Sequence, residues 1–173
     1  MICYHGSDVI VKNPIILNSR RPLDFGDGFY VTSSKTQAIN WAKKVSYRNN
    51  SPYKYVNIYE FNLDNASKSL KIIQFNEADC KWLDFVCNNR NGINTGNYDI
   101  VIGPVADDKV YRVIVEYENG DIDKELALKK LKTENLCNQI LFHTKEALNY
   151  LKYICSEEIK WKSVVMKHFY TVL

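Results

Sequence analysis

The run Asp24-Phe25-Gly26-Asp27-Gly28-Phe29-Tyr30-Val31-Thr32 constrains this chain more than any other. Only seven glycines occur in 173 residues, and two of them flank one aspartate directly before an aromatic, β-branched run. Glycine stands where the backbone needs a positive φ or a close approach, and it weakens regular structure elsewhere. The pair therefore predicts a shaped loop that delivers "FYVT" as a short strand. Ser34 and Gln37 then have capping-box spacing, and Ala38, Trp41, Ala42 and Val45 recur at i, i+3, i+4, i+7. Loop, strand and helix follow one another without a linker, and Trp41 is expected to face inward.

The remaining chain reads as mixed strand and helix. "MICYHGS" is a strand running into a turn, "YKYVNIYEFNL" alternates with period two, and "LKIIQF" is expected as its neighbour. "NEADCKWLDFVCNNR" puts Ala78, Trp82, Phe85 and Val86 on one helical face, and "NRNGINTGN" is a polar loop. "YDIVIGPVA" is a continuous apolar strand, "VYRVIVEY" fits strand or helix, "DIDKELALKKLKTEN" a polar helix and "NQILFHT" a strand. From Lys145, "KEALNYLKYICSEEIKW" reads as a closing helix. Strands do not alternate evenly with helices, so the order predicts α+β architecture with split antiparallel sheets and flanking helices, in one domain over residues 1–173.

Composition narrows the function classes. With 46% hydrophobic residues the chain can build a sizeable core. A net charge of +3, spread over scattered lysines, lacks the dense basic stripe of a nucleic-acid footprint. The five cysteines are odd in number and form no C-x-x-C pair, which argues against a disulfide framework or a zinc site and for reduced thiols. No metal is expected. The opening "MICYHGSDVIVKN" has neither a basic nor an apolar leader region, and no apolar run is long enough to span a membrane. A cytoplasmic protein is expected.

Three stretches carry the candidate chemistry: "YHGS" at 4–7, "FGDGFYVTSSKTQAINWA" at 25–42 and "NQILFHT" at 138–144. Singly, His5 reads as a structural histidine, Tyr30 as core and Gln139 as a surface amide. In order, with Gly6 and Gly26-x-Gly28, they resemble the ADP-ribosyltransferase superfamily in its diphtheria-toxin and poly(ADP-ribose) polymerase branch. The run as a whole is similar to the small bacterial family DUF3990, identified as a member of that superfamily.

That resemblance implies an ADP-ribosyltransferase-like fold that takes NAD as its substrate. Backbone groups at Gly6, beside Ser7, would grip the nicotinamide carboxamide, and His5 would hydrogen-bond a ribose hydroxyl. Tyr30 stands in the Gly-x-Gly-x-Tyr position, with Trp41 as the second aromatic. Gly28 would let the loop pass close to the dinucleotide, the helix start at Thr32 would hold a polar group, and Arg20 or Arg21 would pair with the pyrophosphate. The catalytic set is His5, Tyr30 and Gln139. Gln139 is a departure, since the polymerase branch has a glutamate there; a neutral amide cannot stabilise an oxocarbenium by charge. Polymer elongation is therefore not expected. The resemblance implies a mono-ADP-ribosyltransferase, a bacterial toxin of toxin–antitoxin or defence type, acting on a protein or nucleic-acid acceptor and held by an antitoxin. The alternatives are a non-catalytic NAD or ADP-ribose binding pseudoenzyme, an NAD glycohydrolase, or an RNA 2′-phosphotransferase.

Other groups carry weaker expectations. Adjacent Asp107 and Asp108 are read as a cap or turn, His143 as a surface residue, and Cys80 and Cys87, seven apart on one helix, as core packing.

Overall fold

Side-chain caps start the longer helices where the sequence provides them. Ser34 Oγ accepts from the Gln37 amide at 3.3 Å, Asp79 Oδ1 from the Trp82 amide at 2.8 Å and Asp123 Oδ1 from the Leu126 amide at 2.8 Å. In this computed structural model, residues 1–17, 23–93, 95–105, 108–132 and 138–160 are described. The elements are β1 (Ile2–Ser7), β2 (Phe29–Thr32), α1 (Lys35–Arg48), β3 (Tyr55–Phe61), α2 (Leu63–Ala66), β4 (Ile72–Gln74), α3 (Cys80–Arg90), β5 (Ile100–Pro104), α4 (Asp108–Glu118), α5 (Lys124–Leu131), β6 (Asn138–Phe142), α6 (Lys145–Leu148) and β7 (Leu151–Glu158). This is a mixed α+β architecture. Among the described residues no helix is long and apolar enough to cross a membrane.

All seven strands join one sheet in the order β4-β5-β6-β2-β1-β3-β7. Only β4 and β5 run parallel; the other neighbours are antiparallel. The expected split sheets are thus one hydrogen-bonded sheet with a weak centre, because β1 and β2 register at a single pair, Tyr4 with Thr32.

Residues opposite each other in an antiparallel ladder share a face, and neighbours along a strand alternate. Leu141 opposite Tyr30, Gln139 opposite Thr32, and Thr32 opposite Tyr4 therefore mark one face, which also holds Gly6. The long helices lie there. Trp82, Leu83 and Val86 of α3, Ile114 of α4 and Leu131 of α5 pack with Val101 and Leu141 in one core cluster. The other face carries Cys3, Phe29, Val31, Tyr59, Ile140 and Phe142, covered by α2, α6 and Val11.

α1 packs differently from α3 to α5. Its buried residues are Ala38, Ala42 and Ser46, and a Cβ on Gly6 would stand 2.0 Å from the Ala38 carbonyl oxygen. The helix therefore lies directly on β1, with no room between them for an indole. Trp41, expected to face inward, is 49% exposed for that reason.

Further expectations change. "LKIIQF" supplies β4, which pairs with β5 at the far edge and not with the "YKYVNIYEFNL" strand. The expected closing helix is one turn, α6, followed by the edge strand β7 on β3. "VYRVIVEY" is helical within α4. Cys80 is exposed and Cys87 half-buried, so α3 does not use both as core. Asp107 and the Asp108 side chain lie outside the described residues.

Candidate functional site

The helices leave a trench over the middle of the sheet. Its floor is β2 with the start of β6, one wall is α1 through Gln37, Asn40, Trp41 and Lys44, and the other carries Arg90 and Tyr111. Wall residues 37, 40, 41 and 44 follow helical spacing. The cleft extends to His5 and to residues 9–17, so it passes through the opening between β1 and β2. His5, Gly6, Ser7, Gly28, Tyr30, Thr32, Trp41 and Gln139 all line it. Arg20 and Arg21 lie outside the described residues.

The opening follows from backbone arithmetic. Met1 and Phe61 exchange both backbone bonds, N to O at 2.7 Å and O to N at 2.8 Å, so they form a closely spaced antiparallel pair. Odd residues of β1 then bond β3, and even residues turn their N–H and C=O toward β2. The register with β2 stops at Tyr4, two residues short of Gly6. Gly6 therefore directs an amide and a carbonyl into the gap. Its missing side chain serves another purpose, the close seat of α1.

His5 leaves β1 on the face opposite Tyr30, Thr32 and Gln139, where it lies against Phe29 with ring centroids 4.5 Å apart. Its Nδ1 is 2.8 Å from the Tyr30 carbonyl oxygen. A carbonyl only accepts, so Nδ1 is the protonated nitrogen and Nε2 keeps its lone pair. Burial lowers the imidazole pKa and outweighs the bond to Tyr30, which keeps the ring neutral. The imidazole thus takes up a carbonyl that a continuing ladder would have offered to β1.

Tyr30 donates to Gly26 O at 2.7 Å and accepts from the Phe25 amide at 3.3 Å. Burial pushes its phenol well above the ordinary range, and the Asp24 carboxylate adds to this. It stays protonated and acts as a wall tied to its own loop. Gly26 has φ +90, and Gly28 has φ +149 with a Cβ site only 2.3 Å from Phe142 O. The second glycine lets β2 begin tightly against β6, a demand of the sheet.

Thr32 is committed to the turn into α1. Its hydroxyl contacts Asn138 O at 3.0 Å and Gln37 Oε1, and accepts from the Ser34 amide at 3.1 Å. Ser7 Oγ accepts from the Val9 amide at 3.2 Å. Gln139 is 8% exposed, and its Nε2 has no hydrogen-bond partner among the described residues. An unpaired buried amide costs about 1–3 kcal/mol.

Two features carry no visible sequence pattern. Arg90 closes α3 and pairs with Asp24, Nε to Oδ1 at 2.8 Å, with its guanidinium 4.6 Å from the Tyr111 ring centre. Both side chains of the pair are mostly buried, so the glycine loop is clamped to α3. His143, expected at the surface, is half-buried against Gly26 and hydrogen-bonds the backbone at Phe25 and Asp27; burial lowers its pKa. Spacing between residues so far apart in sequence cannot reveal such contacts.

The thiols of Cys3, which is buried, and Cys87, which is half-buried, are poor nucleophiles in this geometry. Burial pushes the Cys3 and Cys87 thiols up to about 11. No group of three or more His, Cys, Asp or Glu among the described residues is placed to hold a metal ion.

No curated protein and no solved structure matches the chain. A family model described as "Protein of unknown function (DUF3990)" matches residues 1–153, a span that includes both glycines of the loop, the β1/β2 opening and Gln139. The protein belongs to the DUF3990 family.

Proposed function

We propose that the cleft binds NAD+ and that the protein is a mono-ADP-ribosyltransferase of the ADP-ribosyltransferase superfamily. The observation that carries this reading is the Gly6 peptide edge, an N–H and a C=O aimed into the opening between β1 and β2. A primary carboxamide has one acceptor and one donor side by side, and it complements such an edge with two hydrogen bonds. Nicotinamide bound there has Tyr30 as a wall and the Nε2 lone pair of His5 available to a ribose hydroxyl. Holding the dinucleotide in a reactive geometry supplies up to about 7–11 kcal/mol in the best oriented systems.

The glycosidic bond from C1′ to the nicotinamide nitrogen breaks with its electron pair going to nicotinamide, which leaves neutral. The acceptor's lone pair then forms the new bond at C1′ and the acceptor loses its proton. Gln139 offers a dipole to the developing cation and no charge. The acceptor, a protein or nucleic acid, must therefore be a good nucleophile in its own right. A toxin role held in check by an antitoxin belongs to this same reading.

The test is incubation with NAD+ labelled in its adenylate, following nicotinamide release and label transfer together. His5→Asn keeps a donor for the Tyr30 carbonyl and removes the Nε2 lone pair. Transfer in the parent and its loss in this variant, with α1 still folded, is the expected result. Absence of saturable NAD+ binding would sink the proposal. The amide at Gln139 favours a second reading, a pseudoenzyme that binds NAD or ADP-ribose; binding without nicotinamide release selects it. Release without transfer selects a glycohydrolase.

A further inference from the structure

The basic residues are scattered in sequence, but their distribution against the acids is uneven. From Gly28 to Tyr59 the chain has five lysines and arginines and no aspartate or glutamate, which leaves the rest of it net acidic. α1 carries four of the five. Lys35 is paired with Glu157 at 2.6 Å, and Asp8 meets the far end of the helix through Asn49 at 3.1 Å. Lys43, Lys44 and Arg48 are exposed, because Ala38, Ala42 and Ser46 fill the side that lies on the sheet.

Aromatic rings stand among these cations. Tyr47 is 90% exposed and Trp41 49%. Lys44 is three residues from each of them and four from Arg48, so on the helix surface it adjoins all three. The row continues down the cleft wall through Asn40 and Gln37, and Gln37 Oε1 meets Thr32, which lies opposite Gln139 on the floor. Gln139 Nε2 is the buried donor left without a partner among the described residues. From Gln37 to Arg48 the track runs about 16 Å along the helix.

We propose that this outer face of α1 docks single-stranded nucleic acid and leads it to Gln139. Phosphates meet the lysines and the arginine, unpaired bases stack on Trp41 and Tyr47, and an acceptor atom on a base satisfies the Gln139 amide. An acidic polypeptide would match the charge and leave the rings and the amide unserved. A duplex would hide the base faces that stack. On the transferase reading of the cleft the docked strand is the acceptor; docking itself does not depend on that reading.

The full chain, without NAD+, is titrated into a dye-labelled single strand of about 12 nucleotides and mixed sequence. Anisotropy should report saturable binding at about 50 mM salt, with a log–log salt slope of about −2 for three phosphate contacts. Trp41→Ala and Tyr47→Ala should each weaken it about tenfold, with circular dichroism confirming that both variants are folded. Arg48→Gln should weaken binding and make the slope shallower by about 0.7. Lys145→Gln, which removes the same charge from α6 on the opposite face of the sheet, should change neither. RNA and DNA strands of one sequence are run in parallel; either one binding supports the proposal, and the tighter names the sugar. Absence of saturable binding overturns it. Equal losses from Arg48→Gln and Lys145→Gln, or a duplex bound as tightly as the strand, also overturn it by reducing the effect to general charge attraction. Polyglutamate that displaces the strand as well as an unlabelled strand of equal charge overturns it too, and assigns the face to an acidic protein. Strand binding without any NAD+ binding keeps this surface and removes the transferase; NAD+ binding without strand binding does the reverse.

Discussion

The two halves of the sheet solve the same packing problem in opposite ways. Over β5 and β6, helices α3, α4 and α5 stand off on large side chains: Trp82 is fully buried, its Nε1 donates to Pro104 O at 3.2 Å, and Phe25, Phe75 and Phe85 cluster beside it. Over β1 and β3, α1 lies on a glycine with alanines and a serine facing in. The first half derives stability from area and cavity filling, the second from close approach, and the cleft lies where the two spacings meet. Two of the three tryptophans show the difference plainly. Trp82 is structural, whereas Trp41, on a helix too close to its sheet to bury it, is left facing the cleft.

Trp82→Ala should cost the most, about 3–5 kcal/mol by urea unfolding, through a cavity in the large-residue half. A cost under 1 kcal/mol would mean that this half can collapse around the loss, and the comparison would fail. Gly6→Ala comes next, at about 1–3 kcal/mol, because the added methyl meets helix backbone and α1 must move. Faster hydrogen exchange confined to α1 and β1 would sharpen the contrast; faster exchange in α3 would erase it.

The pH response sits between the halves. His5 and His143 both have pKa values lowered from 6.5 by burial. Each is neutral when folded and binds a proton more readily when unfolded, so stability is full above that value and falls as pH drops through it. Urea midpoints at about pH 7.5 and about pH 5.5 should differ in that direction, and His5→Asn should reduce the difference. An unchanged difference would place the whole effect elsewhere. Trp41→Ala should change stability least, within about 0.5 kcal/mol. A loss comparable with Trp82→Ala would show that Trp41 is covered in solution, and would change how that helix wall is understood.

Local rules made much of this legible. The alternation of "YKYVNIYEFNL", the cap at Ser34 and the loop-strand-helix run around Gly28 all act within a few residues, and each element is where the sequence places it. Other errors came from choices made at longer range. "LKYICSEE" has residues that satisfy a helix, and pairing with β3 makes it a strand. "IIQ" has no mark that distinguishes a central neighbour from an edge one. Among candidate site residues, the motifs placed His5, Gly6, Tyr30 and Gln139 beside one cleft, but missed that His5 leaves from the opposite face and that Arg90 and His143 hold the loop. Face and clamp depend on strand parity and on tertiary contacts, which no short motif contains.

The place of β6 in the sheet sets a timetable for biosynthesis. It stands between β5 and β2, so the ribosome makes β1 to β5 before the strand that joins them. Until residues 138–142 emerge, the nascent chain holds two separate sheet fragments, each with an unpaired edge open to the wrong neighbour. Gln139 lies on that late strand. Translation therefore completes the cleft floor and joins the two sheet fragments in one late step, and a chain cut short before it would have neither.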